Sequence, residues 1–494
     1  MHPILVALIH LGDDCRAVLR DREHRWFAIV VLAYFAILPF TAFGFTLPWS
    51  IPVFGSSVKL TELALLLLSV IGVVAHARGR LPMLHAPWLY GFLALAHLAL
   101  AAGYLGAVRR PARVSTVRWS PRRLLWASVV LNLLLLAPTL KYRTGGRVEI
   151  AAALIDPGSA YSRAASALTD RHEIRYVEYV RIVSGPLLGL LLPLSVVYWR
   201  RLGWWTRFSA VVAIGGDLSL WIATGRNKGI ADLIFVLPWL RLIGQQRHSR
   251  AFPSKKVVRT IAFLLAGGLL FAATFTWFVS SRDTQNIILP YDDGAQIEAR
   301  LPLKSPNLQF ANSMIVGLTT YVSQGYYGLS LGLDEPFVPT WGLGNSMFLM
   351  SLAEKVTGNP DLHFNTYPAR IEKYGWEALR RFHTFYLWVA SDLSFPGTIV
   401  IVYLLGRLLA TCWVNALGDT NPLAVALLAN LLIIFYYIPA NNQIMQFPEQ
   451  MTALWVTLVV WWITTRRRRP SRGGQAAPDR TPGARIGRQA VAGP

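Results

Sequence analysis

The sequence predicts an all-α, polytopic integral membrane protein: a bundle of about 11–12 transmembrane helices with one large outer loop. Three observations carry this expectation. Mean hydropathy is +0.40 with 54% apolar residues over 494 positions, an average soluble domains rarely sustain. Apolar runs recur at the roughly 20-residue length a bilayer demands. Between Ser281 and His383 the chain turns mostly polar before the apolar pattern resumes.

The strong runs are Trp26–Gly44, Leu60–Ala77, Pro87–Ala107, Leu124–Leu140, Ile182–Trp199, Phe208–Thr224, Gly229–Gly244, Val257–Ser280, Pro396–Val414, Pro422–Ile438 and Met451–Thr464. Lipid-facing backbone must be hydrogen-bonded internally, so these runs are helices, the short ones accommodated by tilt or bilayer thinning. Five regions follow: an N-terminal segment 1–25, transmembrane helices over 26–280, a periplasmic loop with interfacial helices over 281–383, transmembrane helices over 384–465, and a basic tail 466–494. The first run reads as an uncleaved anchor, because charged residues precede it and no small-residue cleavage pattern follows. The Gly-, Pro-, Ala- and Arg-rich tail reads as disordered.

Net charge is +22, from 48 basic and 26 acidic residues, but its placement argues against nucleic acid. The basic residues fall in connectors: Arg109 to Arg123, Arg200 to Arg207, Arg247 to Lys256, and Arg466 to Arg469 after the last run. That is the positive-inside pattern. The 281–383 segment is slightly acidic, with eight Lys/Arg against ten Asp/Glu, as expected of a translocated loop. A cytoplasmic C-terminus puts that segment outside, together with Gly225-Arg226-Asn227-Lys228 and the Lys141–Arg181 stretch. Eleven spans leave Arg78 and Arg80 outside too, against the charge rule. Either a further span or a recount of the N-terminal third is required.

Within the outer segment, Pro290-Tyr291-Asp292-Asp293-Gly294 reads as a turn, lacking the spaced ligands of a calcium loop. Leu308–Leu333 and Leu343–Val356 read as interfacial helices. Asp361–His383, rich in His, Arg and Tyr, must face water, head groups or a polar ligand. The two cysteines, Cys15 and Cys412, give no disulfide framework or thiolate metal site. No zinc motif, phosphate loop, dinucleotide fingerprint or nucleophile elbow is present, so no metal or cofactor is expected and the substrate itself must be activated.

Several residues have both a structural and a functional reading. Arg226 is a snorkelling anchor or an anion-capturing fork. Lys228 joins it as an anion ligand or pairs with Asp232 one turn later. Asp217, in mid-span, orients a base, carries protons or hydrogen-bonds a neighbouring helix. Arg282 emerges on the same face as Arg226, which suggests a diphosphate site. His383 is a candidate general base or a capping residue. Asp392 orients a donor, binds a sugar hydroxyl or caps the next helix.

The stretch Thr384-Phe385-Tyr386 through Asp392-Leu393-Ser394-Phe395-Pro396-Gly397 resembles the Wzy-type O-antigen and oligosaccharide repeat-unit polymerases, in which Asp-Phe-Gly-x-x-Gly opens a span. Asp392 and Gly397 keep their places, while Leu393 and Ser394 depart from Phe-Gly. Thr224-Gly225-Arg226 and the Tyr321–Gly328 stretch, with Gln324-Gly325, resemble further family features. The likeness covers roughly Ile182 to Trp462 in layout.

The resemblance implies a GT-C-like glycosyltransferase of the bacterial inner membrane. It would transfer a growing glycan from an undecaprenyl-diphosphate carrier onto another lipid-linked repeat unit at the periplasmic face. His383 or Asp392 would be catalytic, and Arg226, Lys228 and Arg282 would bind diphosphate. Tyr321, Tyr326, Arg370, Arg380, Arg381 and Tyr386 would bind glycan or carrier. Implied partners are the lipid-linked oligosaccharide, membrane lipids and a separate chain-length regulator protein. Alternatives are an O-antigen ligase acting on lipid A core and a proton-coupled transporter, the latter weakened by the lack of an inverted repeat.

Overall fold

The computed structural model describes residues 75–78, 86–108, 110, 113–169, 176–246, 254–281, 296–299, 325–378, 381–418 and 421–467. The expected spans at Trp26–Gly44 and most of Leu60–Ala77 lie outside these residues, as do the Asp-Asp-Gly turn and the tail. The described chain is built of helices, with two short antiparallel strand pairings.

Local sequence sets the helix starts. In α1 (Ala86–Val108) and α2 (Pro121–Arg143), apolar residues run round the helix. Ser120 caps α2 by accepting from Arg123 N, and Pro121 fills the first turn, where no donor is lost. Two short helices, α3 (Ile150–Ile155) and α4 (Pro157–Thr169), follow. The expected span at Ile182–Trp199 is a broken pair, α5 (Tyr176–Leu188) and α6 (Leu191–Val197). Pro193 lacks the N–H that would bond back to Gly189, so the ladder is interrupted there.

Beyond it lie α7 (Trp204–Ala223), α8 (Lys228–Gln246) and α9 (Ser254–Ser280). The outer segment contributes a helical stretch over 325–332, α10 (Met347–Thr357) and α11 (Tyr367–Arg370). The expected interfacial helix near Leu308–Leu333 is, in its described part, buried: Tyr326, Tyr327 and Leu329 have no exposure, and Tyr327 packs on Trp376. Then come α12 (Phe385–Leu417), α13 (Pro422–Tyr437), α14 (Gln443–Gln446) and α15 (Pro448–Ile463).

Among the described residues four helical stretches are long and apolar enough to cross a membrane: Gly91–Val108, Pro121–Arg143, Tyr176–Val197 and Phe385–Leu417. Ala266–Phe278 and Pro422–Tyr437 are shorter apolar helices. The core centres on α13, buried along nearly its whole length and touching α6, α8, α12 and α15.

The closest helix pair is α1 with α12. A Cβ on Gly103 would overlap the Tyr403 carbonyl oxygen, and one on Gly406 would overlap that of Leu100. Small residues let the backbones meet where lipid supplies no hydrophobic drive for association.

The strands join connectors distant in sequence. Arg113–Ser115 (β2) pairs with Thr465–Arg467 (β4), joining two basic connectors that the charge rule places on one side. At the other end the outer elements gather. Gly225 packs on Pro157, Trp277 Nε1 donates to the Leu154 carbonyl, and Phe385 N donates to Ile438 O. Ala75–Arg78 (β1) pairs with Gln296–Ala299 (β3), which sets Arg78 beside Gln296 of the 281–383 segment.

Candidate functional site

A cavity of about 180 Å³, with charged groups set among apolar ones, opens among α2, α5, α6, α7, α8, α13 and α15. Two arginines organise it. Arg143, at the end of α2, donates Nε and Nη2 to the Glu178 carboxylate at 2.8 and 3.1 Å. Arg181, only 2% exposed, makes the same fork on Glu449 at 2.7 and 2.8 Å. These two-pronged pairs fix the guanidinium planes. Arg143 lies 3.8 Å from Glu449 and Arg181 lies 3.9 Å from Asp217, so the pairs form one network.

Gly185, one turn beyond Arg181, makes the arrangement fit. A Cβ there would overlap the Glu449 carbonyl oxygen, so α5 and α15 touch backbone to backbone beside the ion pair. On α8, Lys228 pairs with Asp232 across one turn, and Gln450 Nε2 donates to Asp232 Oδ2 at 3.3 Å. The Lys228 ammonium is also ringed by Phe447, Trp221 and Tyr437 at 5.0–5.7 Å. Among the described residues Arg181 Nη1, Asp232 Oδ1 and Gln450 Oε1 are buried with no hydrogen-bond partner. Buried donors and acceptors of this kind are costly unless something satisfies them.

Asp217 differs from the other carboxylates of the cavity. Its side chain is 39% exposed and its one ion-pair contact among the described residues is the long one to Arg181. The lining carries two arginines against Glu178, Asp217, Asp232 and Glu449, so the chamber is acid-rich.

Arg226 is not itself a lining residue but lies within reach of the charges of Arg143 and Glu178, which are. Gly225, with φ +61°, turns the chain tightly against α4, which an L side chain would obstruct. The Arg226 guanidinium lies 5.9 Å from the Tyr161 ring and makes no ion pair among the described residues, though the charges of Arg143 and Glu178 reach it. Arg226 and Lys228 are thus neighbours in sequence with separate fates: one cation uncommitted to a carboxylate, the other locked in a pair and an aromatic box.

The remaining sequence-predicted residues assemble elsewhere. The Asp392 carboxylate accepts from Thr340 Oγ1, from Gly344 N at 2.9 Å and from Asn345 N at 3.0 Å, so it anchors the 340–346 loop. That loop carries Trp341 at φ +56° and 85% exposure. Asn442 Nδ2 donates to Asn345 Oδ1, and Met347 N donates to Gln446 Oε1, so the loop is tied to the segment leading to Glu449 and Gln450.

His383 is 1% exposed, with Nε2 3.3 Å from the Glu377 carbonyl and its ring edge-on to Trp388. Burial pushes the imidazole down to about 4, which keeps it neutral at ordinary pH. It has the protonation state of a base but no opening through which a substrate hydroxyl could reach it.

Tyr326 and Tyr386 are core rings, the latter edge-on to Phe92, and offer no face to a glycan. Their apolar area outweighs a single hydroxyl, which is why both are buried. Arg370 bridges Glu335 and the Pro336 carbonyl, and Arg381 lies over Trp376. For Glu335, burial raises the carboxyl. Hydrogen bonds from Lys373 and Tyr374 and the charges of Lys373 and Arg370 outweigh it and hold the carboxyl below its ordinary range. Arg282, Tyr321 and Arg380 lie outside the described residues.

The sequence reading missed Arg143, Glu178, Arg181 and Glu449 as a group. One signal was available: charged residues flanking or interrupting apolar runs, which a membrane tolerates only at a polar interior. Comparison with known proteins finds no matching family model, no matching curated protein and no matching solved structure.

Proposed function

We propose that this protein polymerises lipid-linked oligosaccharide repeat units at the periplasmic face of the bacterial inner membrane, as a multi-pass GT-C-like glycosyltransferase with eleven to twelve spans. The observation that carries the reading is a chamber with four carboxylates inside an apolar helix bundle, with Arg226 within reach of the charges of its Arg143 and Glu178 and uncommitted to any described carboxylate. A carrier-linked glycan has the matching parts: an apolar tail for lipid, a diphosphate for a guanidinium, and hydroxyls for carboxylates and amides.

In this reading Arg226, with Arg282, holds the diphosphate and stabilises the charge that builds on it as the sugar–oxygen bond breaks. Lys228 fixes α8 through Asp232 rather than meeting phosphate. Asp392 and His383 hold the outer segment over the bundle. The acid-rich lining favours one other reading, a proton-coupled transporter using Asp217 and Asp232.

The test is a gene deletion with carrier-linked and lipid A-linked glycans separated by size, complemented with wild type or Arg226→Ala. Single-repeat glycans in the deletion, restored to ladders by wild type alone, support polymerisation. Full-length ladders that stay on the carrier and leave lipid A would make it a ligase. Unchanged glycans together with proton-dependent uptake in sealed vesicles would make it a transporter.

A further inference from the structure

We infer that Asp217 is the proton acceptor of the site, receiving the proton of the attacking hydroxyl, and that Arg181 is its positioning residue. This rests on the polymerase reading above and adds a catalytic residue to it.

Three observations converge on Asp217. Among the cavity carboxylates, Glu178 and Glu449 are each held by an arginine fork, and Asp232 is held by Lys228 and Gln450. Asp217 is left with a 3.9 Å contact to Arg181 and 39% exposure into the chamber. Beside it, Arg181 is almost wholly buried yet keeps Nη1 unpartnered among the described residues. A carboxylate with free lone pairs next to an unsatisfied donor matches one hydroxyl group, which gives its proton to the first and can accept a bond from the second. Asp217 lies on α7, whose end at Ala223 leads into the Gly225 turn that carries Arg226.

The step balances. The acceptor sugar's hydroxyl proton passes to an Asp217 oxygen while the hydroxyl oxygen forms a bond to the donor's anomeric carbon. The bond from that carbon to the phosphate oxygen breaks, and its electron pair leaves on the carrier diphosphate beside Arg226. His383 is enclosed and Asp392 is saturated with donors, so neither competes for this role.

The experiment uses the full-length protein in proteoliposomes with a carrier-linked repeat unit, comparing wild type, Asp217→Asn and Asp217→Glu for binding and for rate against pH. Asp217→Asn is expected to bind the unit as wild type does and to lose about 10²–10⁴-fold in rate. The acid limb of the rate profile should vanish in that variant, with partial recovery in Asp217→Glu. The charges facing Asp217 are Arg143 from α2, Glu178 and Arg181 from α5, Asp232 from α8 and Glu449 from α15, all present in every variant.

An Asp217→Asn protein within threefold of wild type overturns the assignment while leaving the polymerase reading intact. Wild-type protein that forms no polymer overturns both. If Asp217→Asn does not fold, Asp217→Glu decides: a lowered rate with a displaced acid limb and unchanged binding supports the role, and an unchanged rate and profile refute it.

Discussion

His383 shows how burial decides chemistry at one residue. Its imidazole is enclosed and lowered to about 4 from an ordinary 6.5. Between those values an unfolded chain binds a proton that the folded chain refuses, so stability falls as pH drops from 6.5 towards 4. The full contribution, roughly 3 kcal/mol by linkage, is present above that window. Thermal unfolding of the solubilised protein against pH should show this loss, and His383→Phe should flatten it in that window. An unchanged acid profile in the variant would place the titrating group elsewhere. Glu335 acts at lower pH: its depressed carboxyl supports the fold above its ordinary 4.5 and is lost only as pH falls below that.

At the scale of elements, α12 carries a break at Ser394. Ser394 stands where the family pattern has Gly, and its φ of 63° and ψ of 171° lie in a region proper to glycine. Pro396 follows two residues on, and the helix kinks there. Asp392 lies in the helical turn before the kink. Ser394→Gly is expected to raise stability by about 1 kcal/mol, read as a higher midpoint of thermal unfolding. A lower midpoint would mean the serine side chain contributes more than its strain costs. Gly406→Leu should do the reverse, costing about 1–3 kcal/mol or abolishing folded protein, because α1 leaves no room for the side chain. Tolerance of leucine would show that α1 and α12 are not so close.

For the whole molecule, sidedness is the testable property. The β2–β4 pairing joins basic connectors at one end, and the 340–346 loop meets Asn442 at the other. With both native cysteines replaced, a cysteine at Trp341 should react in intact cells with a membrane-impermeant maleimide. A cysteine at Arg201, in the exposed turn before α7, should react only after permeabilisation. The opposite result would invert the bundle and put Arg226 and Asp217 out of reach of a periplasmic substrate.

The run expected from Pro396 begins at Phe385, and the one at Ile182–Trp199 is broken in two. By itself, though, the sequence determined the helical character of the described chain, the separation of basic from acidic connectors and the Lys228–Asp232 pair. Each of these depends on near neighbours: apolar run length, a cap, an i, i+4 spacing. It also placed Gly225-Arg226 at a turn, because Gly punctuates the chain locally, whereas Asp392, read as a cap for a helix starting near Pro396, lies inside α12. Tertiary structure alone decided which charges meet. Arg181 and Glu449 are 268 residues apart, and Asp217 acquires its role only because its neighbours' carboxylates are taken by arginines and a lysine on other helices. It also decided that His383, Tyr326 and Tyr386 are enclosed while Arg226 keeps part of its surface exposed. Burial and long-range pairing are properties of packed surfaces, which spacing along the chain does not encode.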